Sequence, residues 1–227
     1  MGDFTVQGPS VTLPDFNPSG AGDGPVAVSK RGETLAVPWY QEWVNKGRVY
    51  QAGNPTVGTA VALTGTGYVA TTPAFLLTVP AGTVVIPLHI RLFQGGTVAG
   101  GVITVIVAAD TINRYSSGGT AITPVNMKIG GSGAATTGVG ARASVCSFYT
   151  GATAAAVTTH IQLAAAIITH DVGTTPFTMQ TRFEWAPIAN GEPAPQLVGP
   201  ASLLVHSFAA TTAPSWHYSF KWIELAA

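Results

Sequence analysis

Five histidines, one cysteine and ten carboxylates are the residues of this 227-residue chain whose types could do chemistry. The histidines are His89, His160, His170, His206 and His217, and no two stand in the His-x-His or His-x3-His spacing that turns two imidazoles toward one metal. His160 and His170 are ten residues apart, which sets them on one face of a continuous strand but about 33 Å from each other. His170-Asp171 places a carboxylate beside an imidazole, and Ca2+ or Zn2+ would need further ligands there from other loops. The histidines therefore read as strand-end or interface residues, with no metal site and no cofactor.

Covalent and acid–base chemistry find little more. The Gly-x-Ser-x-Gly elbow of serine hydrolases is absent. The single Cys146, in Ser144-Val145-Cys146-Ser147-Phe148, has no partner for an internal disulfide and reads as a small buried hydrophobe. A glycosidase needs two carboxylates at a cleft. Glu184, which shares a strand face with Arg182, is the best candidate, followed by Glu192 in a Gly-Glu-Pro loop and Glu224 near the C-terminus. Their ordinary reading is solvated or ion-paired surface charge. Gly130-Gly131-Ser132-Gly133 lacks the Gly-Lys-Thr that completes a phosphate cradle and reads as a loop. Trp185, Trp216, Tyr218 and Trp222 could form a sugar-stacking platform, yet their strict alternation points to a core instead. No enzymatic activity is expected.

The elements that carry these residues are strands. From residue 58 onward the hydrophobic period is two. Val84, Ile86, Leu88, Ile90 and Leu92 are expected on one face, with Val85, Pro87, His89, Arg91 and Phe93 on the other. Phe177, Met179, Thr181, Phe183 and Trp185 alternate with polar neighbours, as do Trp216, Tyr218, Phe220 and Trp222. The Ala-rich stretch 157–169 is read as a strand because of its β-branched pairs Thr158-Thr159 and Ile167-Ile168. Further strands are expected at 61–71, 75–79, 101–109, 121–129, 141–148 and 202–209, about ten strands joined by Gly, Pro and Ser turns. Even spacing without intervening helices predicts an all-β antiparallel sandwich, with a jelly roll as the leading form and an immunoglobulin-like sandwich second.

The rest of the chain divides around that sandwich, assigned to residues 58–227. Residues 1–34 hold Pro9, Pro14, Pro18 and Pro25 and read as an extended arm, which is either disordered or ordered by lying across a neighbour through Phe4, Val11 and Phe16. Residues 35–57 read as a short helix, from Pro38 to Lys46 and closed by Gly47, followed by a linker. Trp39, Tyr40, Trp43 and Val44 share one side of that helix and would pack on a sheet edge or another subunit.

Charge narrows the partners. Ten Lys+Arg balance ten Asp+Glu, and charged residues are only 9% of the chain against about 25% in ordinary soluble domains. The electrostatic attraction behind unspecific nucleic-acid binding is missing, and residues 1–57 contain no basic arm. The most apolar window, 98–109, falls short of the roughly 20 residues that span a bilayer, so no membrane association is expected. The first residues, Met1-Gly2-Asp3-Phe4-Thr5, lack the features of a signal peptide. A surface of Thr, Ser, Gly and Ala with zero net charge favours association with neighbours.

The run from Pro73 to Leu88, PAFLLTVPAGTVVIPL, and the ending Pro200-Ala201-Ser202-Leu203-Leu204-Val205-His206-Ser207-Phe208, with Thr212-Ala213-Pro214-Ser215-Trp216 after it, resemble jelly-roll virion proteins of bacteriophages and other icosahedral viruses. The resemblance is in strand and turn texture and covers about 150 residues. It implies a capsid coat, decoration, spike or fibre subunit, made in the host cytoplasm and residing in the virion. The implied partners are copies of itself, as a trimer or pentamer, and other virion proteins. The missing basic arm sets the chain apart from genome-binding coat proteins. The expectation is a structural subunit with candidate interface residues Phe4, Val11, Phe16, Trp39, Tyr40 and Trp43, and the alternative is a module that binds a carbohydrate or a receptor.

Overall fold

A computed structural model describes residues 39–62, 65–95, 101–129, 143–155, 160–170, 182–210 and 213–227. In chain order they form helix α1 (Trp39–Asn45) and strands β1 (Val49–Gly53), β2 (Val61–Ala62), β3 (Phe75–Val79), β4 (Thr83–Gln94), β5 (Gly101–Asp110), β6 (Tyr115–Ser117), β7 (Thr120–Ile122) and β8 (Val125–Asn126). These are followed by β9 (Ser147–Thr150), β10 (Thr153–Ala154), β11 (Ile161–His170), β12 (Arg182–Trp185), β13 (Leu197–Val198), β14 (Ala201–Ala209) and β15 (Ser215–Ala226).

The strands pair antiparallel into two main sheets. The first runs β11-β5-β14-β3-β9-β7, and the second β12-β4-β15-β1-β8, with β13 on β4 and β2 on β15. Period-two patterning explains why they stack as a sandwich, because each long strand has one apolar face to bury. On β15, Trp216, Tyr218, Phe220 and Trp222 are buried while His217, Ser219 and Lys221 between them are only half-buried. The rings meet those of the first sheet: Phe75 on β3 lies 4.7 Å from Tyr218 and 5.0 Å from Phe220, and Phe148 on β9 lies 4.9 Å from Phe220, between ring centroids. Offset and tilted rings at such distances add to area burial in holding two sheets together. Val105, Val107, Leu203 and Val205 complete the core from β5 and β14. A smaller cluster of Leu76, Leu204, Ala152 and Ala154 covers part of the first sheet's other face, where β6 and β10 form a two-stranded ribbon.

Two glycines are fixed by geometry. Gly47, at φ 66°, takes the left-handed conformation that ends α1, and its N–H donates to the Val44 carbonyl. Gly199 lies against the β3–β4 turn, its N–H donating to the Thr83 carbonyl at 2.8 Å. A Cβ there would overlap the Pro80 carbonyl oxygen and come within 2.9 Å of the Val79 oxygen, both backbone atoms. Gly199→Ala is expected to cost about 2–3 kcal/mol. A urea midpoint reads this, with Gly67→Ala, where nothing lies within 4 Å of an added Cβ, as the neutral control.

The antiparallel sandwich and the short helix expected from the sequence are present, and several local expectations change. In β4 the register with β15 shifts between Lys221 and Trp222, so that His89 faces Lys221 and Pro87 faces Trp222. The extra residue, Leu88, reverses the side-chain phase, and Val85 and Pro87 are buried on the side of Ile90 and Leu92 rather than opposite them. A second bulge, between Gln162 and Ala164, sets Leu163, Ala164, Ala166 and Ile168 against the core while Ala165 and Ile167 face out; Ile161, before the bulge, pairs with Ala109 and is exposed at the strand's start. Of the strand expected at 61–71, only Val61–Ala62 forms, among the described residues. The stretch 121–129 divides into β7 and β8, and of the described residues in 141–148 only Ser147 and Phe148 are strand. β1 lies within the segment read as linker, yet it is a strand of the second sheet between β15 and β8. Phe177, Met179, Thr181 and the arm at 1–34 lie outside the described residues.

Candidate functional site

The second sheet turns its polar residues outward, and register arranges them in rows. Arg182, Phe93 and His217 form the first row, across β12, β4 and β15. Glu184, Arg91, Ser219 and Gly53 form the second, which reaches β1. His89, Lys221 and Gln51 form the third. Glu184 ties this face together: its Oε1 accepts from Arg91 at 3.1 Å and from His89 Nε2 at 2.7 Å, and its Oε2 pairs with Arg182. Burial, then the charges of Arg91, Lys221 and Arg182, lower the His89 pKa to about 4, so at neutral pH the ring is uncharged and its Nε2 proton is the one Glu184 accepts. The Arg91 and Arg182 guanidiniums lie 5.5 and 5.7 Å from the centre of the Phe93 ring. Lys221 has no ion-pair partner among the described residues.

The outer face of the first sheet gathers two other histidines. His206 on β14 is buried, with its ring 5.0 Å from Tyr68 and 5.8 Å from His160. The Tyr68 hydroxyl is 3.4 Å from His160 Nδ1. Both Nε2 atoms are buried without a hydrogen-bond partner among the described residues. Burial, then the neighbouring His160, pushes the His206 pKa down to about 4. Burial also lowers that of His160, opposed by Asp110 and aided by Arg114. Asp110 and Arg114 form a buried ion pair at 2.9 Å, and Ser202 Oγ accepts from the Arg114 N–H while donating to the Ile112 carbonyl. This cluster brings together residues 68, 110, 160 and 206, a set without any sequence spacing to reveal it. Among the described residues no group of three His, Cys, Asp or Glu is placed to hold a metal ion.

The other candidates separate. Glu184 faces outward, whereas Glu224 is buried at the inner end of β15, six register positions away along β4 and about 20 Å distant, too far for a carboxylate pair. Glu224 instead pins the segment before β9: its Oε1 accepts from Trp222 Nε1 at 2.9 Å and from Ser144 Oγ, and its Oε2 accepts from the Val145 N–H. Burial, then the same carboxylate, raises the Cys146 pKa and suppresses its thiolate. Glu192 is exposed beyond a short 3-10 turn. Trp185, Trp216 and Trp222 are all buried, so they form core rather than a sugar platform. His170 ends β11, and Asp171 lies outside the described residues.

Of the candidate interface residues, Phe4, Val11 and Phe16 lie outside the described residues, and Trp39 opens α1. Tyr40 is 48% exposed and Trp43 half-buried, its ring 5.1 Å from the Lys46 ammonium. A larger apolar surface arises elsewhere. β11 is an edge strand without a charged residue in Ile161–His170 apart from the titratable His170, and Ile167 on it is 74% exposed. Ala165 on β11 and Val102 on the neighbouring β5 extend this exposed surface. No known family, curated protein or solved structure matches the chain. Its fold class, an antiparallel β-sandwich, therefore rests on its own strands.

Proposed function

We propose that the chain is a viral structural protein, a capsid coat or capsid-decoration subunit that acts by assembling with copies of itself and with other virion proteins. The observation that carries the reading is β11. Proteins that stay apart blunt an edge strand with lysine, proline or a bulge. Here the bulge at Leu163 lies near the start of the strand, and the seven residues after it run in regular register with β5 and hold neither lysine nor proline. Among the described residues no strand pairs with the other edge of β11. The N–H and C=O groups of that edge and the exposed isoleucines suit a neighbouring strand, and an uncharged contact of this kind is insensitive to salt.

The jelly-roll form is supported by the order β11-β5-β14-β3, which interleaves early and late strands while β4 and β15, next to β3 and β14 in the chain, lie in the opposite sheet. Nested Greek keys produce such an exchange. The second sheet departs from the eight-strand pattern in placing β15 and β1 beside β4.

Ile167→Lys tests the proposal. The side chain is exposed, so the fold is expected to change by no more than about 0.5 kcal/mol. Light scattering is expected to show an oligomer for the natural chain and a monomer for the variant. An oligomer of unchanged mass in the variant would refute a contact through β11.

A further inference from the structure

We infer that the outer face of the second sheet is a binding trench for an acidic saccharide. Three of its residues, Arg182, Arg91 and Lys221, stand on adjacent strands, each two residues further along the register than the last. One strand spacing and two residue steps put about 8 Å between neighbours, a cationic diagonal crossing β12, β4 and β15. These are three of the seven Lys and Arg among the described residues of a neutral chain, against the single carboxylate of Glu184 on the same rows. The two guanidiniums share that carboxylate, while the Lys221 ammonium has no ion-pair partner and Arg91 Nε is buried without a hydrogen-bond partner among the described residues.

Beyond Arg91 the middle row drops to Ser219 and then Gly53, the two smallest side chains on this face. His217 borders that floor on one side, and Lys221 and Gln51 on the other. At the β1 end the floor opens on a cavity of about 570 Å³ lined by Gln51, Gly53, Asn54, Thr123, Val125 and Met127, a volume in the range of small-ligand sites. The Asn54 side chain is committed to the backbone of Thr59, Trp216 and Tyr218, while Gln51, Thr123 and Ser219 are polar groups with no side-chain hydrogen bond among the described residues.

The ligand that meets all of this has an anionic group at one end and an uncharged, hydroxyl-bearing body at the other. A carboxylate or sulfate accepts from Lys221 and Arg91. Ring hydroxyls, which both donate and accept, match the amide of Gln51 and the hydroxyls of Ser219 and Thr123. A nucleic acid is disfavoured, since a face with two net positive charges gives few of the phosphate contacts that such binding needs. This trench lies on the sheet opposite to β11, so the inference stands apart from the assembly reading.

The test is NMR titration of the full chain with trigalacturonate, 3′-sialyllactose and a heparin tetrasaccharide, with maltotriose as the neutral control and triglutamate as the acidic peptide. At least one acidic saccharide is expected to bind at about 1 mM or tighter, and maltotriose and triglutamate about tenfold more weakly or not at all. Lys221→Gln and Ser219→Tyr, the latter filling the floor, are each expected to weaken binding about tenfold or more, while Lys46→Ala leaves it unchanged. Near-ultraviolet circular dichroism checks that each variant is folded. No binding of any acidic saccharide at about 10 mM, triglutamate binding as tightly, or binding that survives both trench substitutions would overturn the inference.

Discussion

Trp216→Ala is expected to cost about 4 kcal/mol of stability. The indole is completely buried between the sheets, and its Nε1 donates to Ser207 Oγ on β14 at 2.8 Å, so the variant leaves both a cavity and an unpaired buried hydroxyl. A domain at the lower end of the usual range of about 5–15 kcal/mol would come close to unfolding at physiological temperature. Urea denaturation monitored by circular dichroism reads the change. A loss below about 1 kcal/mol would place Trp216 on the surface, as a sugar platform requires, and would contradict the packing of β14 against β15.

Acid should destabilise the chain before most of its carboxylates titrate. An unfolded histidine takes up a proton near pH 6.5, whereas native His206 resists it until about pH 4. The unfolded state therefore binds more protons in that window, and stability present above pH 6.5 is lost as the pH falls toward 4. For His206 alone the loss is about 2 kcal/mol by pH 5 and on the order of 3 kcal/mol by pH 4. The His160 and Tyr68 rings lie beside it, and the charges of the Asp110–Arg114 pair act on His160 in opposite directions. His89, also lowered to about 4, adds a smaller loss because Glu184 is at hand to receive the imidazolium. Urea midpoints between pH 7.5 and 4.5 measure this, and His206→Phe is expected to flatten the dependence. A profile equally steep in that variant would assign the acid sensitivity elsewhere.

Strands that bury one face were readable from alternation alone. The aromatic series on β15 folds inward as its period demands, while Phe75–Val79, which is buried on both faces and does not alternate, forms with the limits expected. Alternation fails where one residue is inserted, because the pattern before and after Leu88 is equally apolar and only the pairing with β15 shows which half is reversed. β1 was hidden for a related reason: five residues ending in glycine carry too little pattern to mark a strand, and it is held by pairing with β15. The polar sites were less legible still. His160 and His206 meet because β14 and the start of β11 flank β5, and the cationic diagonal exists only once the registers of β12, β4 and β15 are known. Asp110 directly follows the apolar window 98–109, and its buried bond to Arg114 depends on the turn between β5 and β6.

The division of the surface follows from the same register. One outer face presents an uncharged edge and the exposed Ile167, and the other concentrates cations around Phe93. An uncharged edge holds neighbours by backbone pairing and apolar burial, which salt does not screen, whereas exposed cations attract anions in a manner that salt weakens. The two surfaces can therefore be separated by ionic strength.

The most direct test of assembly as the function is the mass of the purified chain by light scattering, at about 0.05 M and about 1 M salt. The account predicts a discrete oligomer, a multiple of the 23.2 kDa chain, with the same mass at both. A monomer at both salts, or an oligomer that falls apart at high salt, would contradict it.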